Sequence, residues 1–362
     1  MQFGINVFDF GAKGDGITDD TKAIQDAINF AAKRGGGRIL FPYTRKGYRI
    51  ASPGIEEYEG RKVRSQLIIP PGEANIFLEG EMPCRLLNEY QVRLTHNIPC
   101  NVPPVKFKPL REDNTFLFSD WNAPEVHDPN ERPWSILSAP EGDSCNGHFS
   151  LGKFSMANLE FRVPMLIEKM YPTQSAVNLQ NVGRVWVSDC QFCLNQQVGD
   201  AETRKQLLEN PCHTVGLMTS GDQNDDVVIR NTAVQGFKYG FVLGEHVVAD
   251  YLYVHNCEEG ITFHDCSHLS IITHIVAQHN THIVTTTREE LFGHKKGPCN
   301  VIVQSLNFEC GSGLLPEISQ LRYGVYDVEN RLNGELAWIK PWGKQEFPYV
   351  ASPNFRIRKI NE

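Results

Sequence analysis

Several things are scarce in this chain, and each scarcity removes a class of function. No run of 18 or more apolar residues occurs, so no membrane-spanning helix is expected. Lys and Arg total 35 against 43 Asp and Glu, a net charge of −8, and no basic stripe stands out. Nucleic acid is therefore not the expected partner, because nothing is available to neutralise a phosphate backbone. An acidic sugar stays open, since a few local cations would hold it. The 10 cysteines in 362 residues form no dense framework. Most sit in apolar, strand-like runs and read as reduced core thiols. Cys190 and Cys193 have the C-x-x-C spacing, but no second pair follows at zinc-ribbon distance. The opening MQFGINVFDF lacks the basic, apolar and small-residue order of a secretory leader. An intracellular chain, or one whose leader has been removed, is expected.

What is present describes a folded globular chain, 41% hydrophobic and 22% charged. Its length is large for one ordinary domain, yet one elongated all-β domain would hold it. Residues 8–42, FDFGAKGDGITDDTKAIQDAINFAAKRGGGRILFP, carry the first strong local signal. Thr18, Asp19 and Asp20 are helix-start residues, and Ala23, Ile24, Ala27, Ile28 and Ala31 recur at helical spacing. Gly35, Gly36 and Gly37 end that helix, expected over 19–33, and RILFP alternates like a strand. A Walker loop would close on Gly-Lys-Ser/Thr and a dinucleotide loop would follow a strand as G-x-G-x-x-G. GAKGDG satisfies neither, so the segment reads as architecture.

The string FDFGAKGDGITDDTKAIQDAI followed by GGGRILFP resembles the N-terminal signature of the pectate-lyase-like superfamily. The resemblance implies an all-β fold, a single-stranded right-handed parallel β-helix with an N-terminal capping α-helix. It also implies carbohydrate chemistry of some kind, since that group includes polygalacturonase-type hydrolases, polysaccharide lyases, alginate epimerases and phage tailspikes. The signature covers about a tenth of the chain and includes no catalytic residue of those families.

A β-helix must repeat, and the region 174–310 does so. VWVSDCQF, VVIRNTAV, HVVADYLYV, LSIITHIV and NVIVQSLNF stack as successive rungs. Aligning Asp189, Asn231, Asp250, Thr273 and Gln304 puts Val187, Ile229, Val248, Ile271 and Ile302 at one inward site. Phe192, Val234, Tyr253 and Val276 fall at another. A second strand precedes each rung, and Gly216, Gly240, Gly260 and His282 mark one coil per step. Leu217, Phe241, Ile261, Ile283, Leu243 and Phe263 are expected inside; Met218, Val242, Thr262, His264, Val284 and Thr286 outside. The whole chain is expected to form one domain: a cap over 1–50, an irregular excursion over 86–147, regular coils over 174–310, and C-terminal strands with a cap over 311–362. Excursions at 196–212 and 287–299, the latter bearing Arg288, would wall a cleft. Trp121 and Trp134 suit stacking on sugar rings, or equally the covering of the solenoid's flank.

Hydrolysis of a glycosidic bond needs two carboxylates, one protonated and one ionised. Rungs lie about 4.8 Å apart, so acids at equivalent sites of adjacent coils arrive at a useful separation. One such group is Glu258 and Glu259, with His279 and His282 one coil later. Polygalacturonase-type enzymes hold paired aspartates at this place with another acid one coil earlier; here Lys238 and Tyr239 stand there, and the Gly-His-Gly and Arg-x-Lys motifs are missing. The other group is Asp222, Glu245 and Asp265, with His246 and His264 alongside. Each of these acids also suits a turn, where it would accept from loop amides.

These residues point to a carbohydrate substrate and, first, to a glycoside hydrolase without a cofactor or metal. The alternative is a uronate polysaccharide lyase acting by β-elimination, with Arg230 or Lys238 as conceivable bases and Ca²⁺ as a conceivable cofactor. A non-catalytic glycan-binding or tailspike-like β-helix is the third reading. No nucleic acid or membrane partner is expected, and the oligomeric state is open.

Overall fold

The computed structural model describes residues 4–82, 84, 114–128, 130–142, 151–164, 173–195, 214–219, 226–263, 266–278, 280, 282–286, 299–309, 324–330 and 355–359. Within them the chain winds as a parallel β-helix. Each coil contributes strands to one sixteen-stranded and one eight-stranded sheet, and strand follows strand in parallel register from coil to coil. The larger sheet bends around a corner, so the solenoid has three faces.

Each face contributes an inward ladder. Ile39, Leu78, Met156, Val187, Ile229, Ala249 and Ile272 stack on the first. Tyr48, Leu117, Phe161, Phe192, Val234, Val254 and Ala277 stack beyond the corner. Leu67, Leu137, Val177, Leu217, Phe241, Ile261 and Val284 stack on the eight-stranded sheet. All of these side chains are buried in one continuous core. Burial of each large aliphatic or aromatic group contributes about 1.5–3 kcal/mol, and the ladder repeats that gain at every coil.

The regular register therefore begins well before residue 174. Phe116–Ser119 and Trp134–Ser138, inside the segment expected to be irregular, are ladder strands. At the other end, Gly324–Asn330 pairs antiparallel with Cys299–Glu309, and Phe355–Lys359 pairs antiparallel with it in turn.

Two register expectations need correction. Ile229 pairs with Ala249 rather than Val248, and Val234 pairs with Val254 rather than Tyr253. Val248, Ile271, Tyr253 and Val276 thereby leave the inward stacks; Val248 is 47% exposed. A one-residue slip exchanges the two faces of a strand, and HVVADYLYV permits it because apolar residues occupy both parities. The second slip lies one coil later, where Gly260 falls between the pairs Glu259–His282 and Ile261–Val284. Val284 is thus inward, and Thr285 is the register partner of Thr262.

Where the larger sheet turns its corner, Asn158, Asp189, Asn231 and Tyr251 adopt left-handed backbone, with φ between 44° and 58°. Asn and Asp tolerate that conformation, and the Asn231 side-chain amide donates to Asp189 Oδ1 at 2.6 Å. On the smaller sheet, a Cβ at Gly216 would collide with the Gly240 carbonyl, and one at Gly240 would sit 2.5 Å from the Gly260 carbonyl oxygen. This close approach explains the coil glycines.

The helix spans Thr21–Lys33 and buries Ile24, Ala27, Ile28 and Ala31 against the first coil. Its acids act differently from simple caps. Asp20 makes no side-chain bond to the helix and accepts from the Lys13 and Gly14 amides at 2.7 and 3.0 Å. Asp19 accepts from the amides of Thr21 and Ala51 at 3.1 and 3.0 Å, stitching the helix start to the neighbouring strand. Burial opposes its ionisation, yet hydrogen bonds from Ser52, Thr21 and Ala51 hold its pKa down at about 2.

Cys84, Cys190 and Cys193 are free and buried, and Cys257 is buried in the same interior. Burial raises the Cys190 and Cys193 thiols well above their ordinary range, as suits inert core residues.

Candidate functional site

The strand Glu259–Phe263 enters the smaller sheet directly after Glu258, whose amide donates to Phe237 O. Parallel pairing puts Tyr239, Glu259 and His282 at one position of three consecutive coils, with Lys238 and Glu258 immediately before two of them. The histidine expected one coil after Glu259 is therefore His282. Lys238 Nζ lies 5.7 Å from the centroid of the Tyr239 ring, and Thr262 Oγ1 donates to Glu259 Oε2 at 2.9 Å.

Glu258 is the unusual member. Its Oε2 is shielded from solvent and has no hydrogen-bond partner among the described residues. Burial raises its pKa, Lys238 opposes the shift, and Glu259 adds to it. A desolvated carboxyl with one unsatisfied oxygen stays protonated to higher pH and can donate its proton. Such perturbed groups concentrate at functional sites.

The other acid group is differently placed. Glu245 is buried at 4% exposure, with Oε1 4.0 Å from His246 Nδ1. Asp222, Asp265, His264, His279 and Arg288 lie outside the described residues. Trp134 is buried, with Trp121 edge-on at 5.2 Å and the Arg64 guanidinium 5.6 Å from its ring centroid. This arrangement covers the flank of the solenoid and leaves Trp134 little ring face for a sugar.

A feature that sequence reading missed lies on the same sheet, nearer the N-terminus. A cavity of about 430 Å³ is lined by Lys62, Arg64, Glu131, Arg132, Ser138 and Asn178, among others. Its cations come from separate segments, so no local motif announces it. Burial lowers the Arg132 pKa while Glu141 opposes the shift, and Arg64 donates to Glu131 at 3.0 Å. The outward row from this cavity runs Ser138, Asn178, Met218, Val242 and Thr262, reaching the residue that holds Glu259. Met218 and Val242 point outward as expected, yet both are fully buried, in a separate apolar cluster with Val215 and Tyr239. Among the described residues no group of three or more His, Cys, Asp or Glu is arranged to hold a metal ion.

Residues 4–60 match the family described as rhamnogalacturonase A/epimerase, pectate lyase-like. The likeness to that family thus rests on the N-terminal segment. Alginate lyase 7 of Azotobacter vinelandii is 43% identical over 94 residues, 25% of this chain and 10% of its own length. Mannuronan C5-epimerase AlgE5 of the same organism is 51% identical over 55 residues, 15% of this chain and 5% of its own length. The matches thus span about a tenth or less of these curated relatives. Among solved structures, the A-module of A. vinelandii mannuronan C-5 epimerase AlgE6 aligns over 83% of this chain and 80% of that one, with 17% identity and a TM-score of 0.29.

Proposed function

We propose that the protein acts on an acidic polysaccharide by removing the proton next to a uronate carboxyl group, as a lyase or an epimerase. The observation that carries the reading is the neighbourhood of Glu258: a desolvated, unsatisfied carboxyl beside Lys238 and one residue before the Tyr239–Glu259–His282 register. The names of the alginate lyase and the mannuronan epimerase favour the same chemistry over glycoside hydrolysis.

Lys238 is assigned to the substrate carboxylate, where a cation stabilises the negative charge that develops on proton removal. His282 is assigned as base on its register position, because a neutral imidazole has a pKa suited to that task. It takes the C5 proton, and the electron pair moves into the carboxylate as an enolate. In elimination, that pair then forms the C4–C5 double bond, the C4–O bond breaks, and the departing oxygen takes the Glu258 proton. In epimerisation, the Glu258 proton, exchangeable with solvent, is instead delivered to C5 from the face opposite His282, and no bond to oxygen breaks. Glycoside hydrolysis is the second reading, favoured by the adjacent carboxyls of Glu258 and Glu259.

Turnover of mannuronan, alginate and polygalacturonate in D₂O separates these outcomes. Deuterium at C5 of the intact polymer supports the epimerase, and an ultraviolet-absorbing unsaturated product, whose C5 carries no hydrogen, supports the lyase. Reducing ends without unsaturation or deuterium would overturn it in favour of hydrolysis. Glu258→Gln should lower turnover by about 10²–10⁴-fold. It should also raise stability at neutral pH, since a carboxyl whose folded pKa is raised loses stability as it ionises above its unfolded pKa.

A further inference from the structure

We propose that the outer face of the sixteen-stranded sheet carries a second saccharide-binding subsite, for an anionic sugar unit, centred on Phe77 and Trp186. The inference shares the carbohydrate reading above but uses none of its catalytic residues. One outward row runs through Phe77, Ser155, Trp186, Val228, Val248 and Ile271 in consecutive coils. Trp186 is 45% exposed, which is unusual for so large a side chain.

Small Ser155 separates the two aromatic rungs, which stand two coil steps, roughly 10 Å, apart. The gap is a cavity of about 400 Å³ whose walls include Phe77, Met156 and Trp186. Asn75, Lys153 and Ser188 supply polar groups at its rim. A pocket of this size with apolar walls and few polar groups suits a small ligand. A pyranose ring matches it, because its axial C–H face is apolar and its hydroxyls lie at the edge.

The sign of the ligand follows from the neighbouring row, where Lys153 pairs in register with Arg184. Both side chains are exposed, and neither has an ion-pair partner among the described residues. On the other side the Arg230 guanidinium lies 5.7 Å from the Trp186 ring centroid. Of the acids on this face, Glu79 is held by Arg38, Asp226 stands one coil beyond Arg184, and Asp250 stands one coil beyond Arg230. Two uncommitted cations beside an open indole complement a carboxylated sugar better than a neutral one.

The test is calorimetric titration of the whole protein, carrying Glu258→Gln to stop turnover, with mannuronate oligosaccharides and with neutral cello-oligosaccharides. Two classes of site for the acidic oligomer are expected. Trp186→Ala should weaken one class by about tenfold, the scale of a lost aromatic contact, and leave the other intact. In the otherwise unaltered protein, turnover of short substrates should stay unchanged on Trp186→Ala, so this site and the catalytic one fail separately. If Trp186→Ala does not fold, Lys153→Glu with Arg184→Glu reads the same class with the indole in place. An unchanged isotherm, or equal affinity for the neutral oligomer, overturns the proposal. So does a change in sedimentation with Trp186→Ala but none in binding, which would make the face a contact between copies.

Discussion

The inward and outward residues of the same strands obey different rules. On the eight-stranded sheet, Leu67, Leu137, Val177, Leu217, Phe241, Ile261 and Val284 are interchangeable in kind, because each meets only its neighbours above and below. One residue further along, Ser138, Asn178, Met218, Val242 and Thr262 pass from polar to apolar and back to polar. The interior repeats because the same packing problem recurs at each rung. The exterior is under no such shared packing constraint, so its residues differ along the row.

The sharpest way to break this comparison is at the corrected register. Ala249 and Val248 are consecutive, yet the first is fully buried and the second 47% exposed. Ala249→Asp places an unpaired carboxylate in the core and should cost about 4 kcal/mol or more, seen as a lost or strongly shifted denaturant midpoint. If Ala249→Asp is tolerated, Val248 rather than Ala249 points inward.

Phe241→Ala tests the ladder with a smaller perturbation. It empties a fully buried ring site between Leu217 and Ile261, for an expected loss of about 3–5 kcal/mol on chemical denaturation. A loss below 1 kcal/mol would mean that the coil is loosely packed there.

Much of the interior could be read from the chain because it is periodic. Gly216, Gly240 and Gly260 recur at coil spacing, and the structure supplies the reason in the close approach of successive backbones. Leu217, Phe241 and Ile261 alternate in step with them. Periodicity failed at HVVADYLYV, where both parities are apolar and nothing local distinguishes Val248 from Ala249. It failed again before His282, where one extra residue in the coil shifts the count. The exterior was legible only in part. Glu258, Glu259 and His282 stand out as candidates because an acid pair one coil from a histidine is a local pattern. Lys238 and Tyr239 were noticed chiefly as departures from the polygalacturonase pattern, although their coil position places them beside that pair. The cavity cations Lys62, Arg64 and Arg132 escaped notice because Arg132 meets the other two only through the winding of the chain.

Asp19 offers a milder contrast, as a polar group whose role in the fold resembles that of a core residue. Its folded pKa, held at about 2, lies below the ordinary aspartate value of 3.8. The stability this contributes is present above the unfolded pKa and is lost as pH falls from about 4 through about 2. Asp19→Asn should cost about 1 kcal/mol at neutral pH, after allowance for its partial exposure, and should flatten that acid limb. Equal acid sensitivity in the variant would assign the limb to other carboxylates.

The smallest expected effect completes the test of the register. Val248→Lys places a charge on the outward row beside Val228 and Ile271, where solvent reaches it. A substitution on such a surface should change stability by no more than about 0.5 kcal/mol. Against Ala249→Asp, that near-neutral result would mean that two adjacent residues differ roughly eightfold in their energetic consequence, because the pleat sends one to the core and the other to water. A loss of several kcal/mol at Val248 would instead require a cover over this row, and such a cover would also close the Trp186 surface to a saccharide.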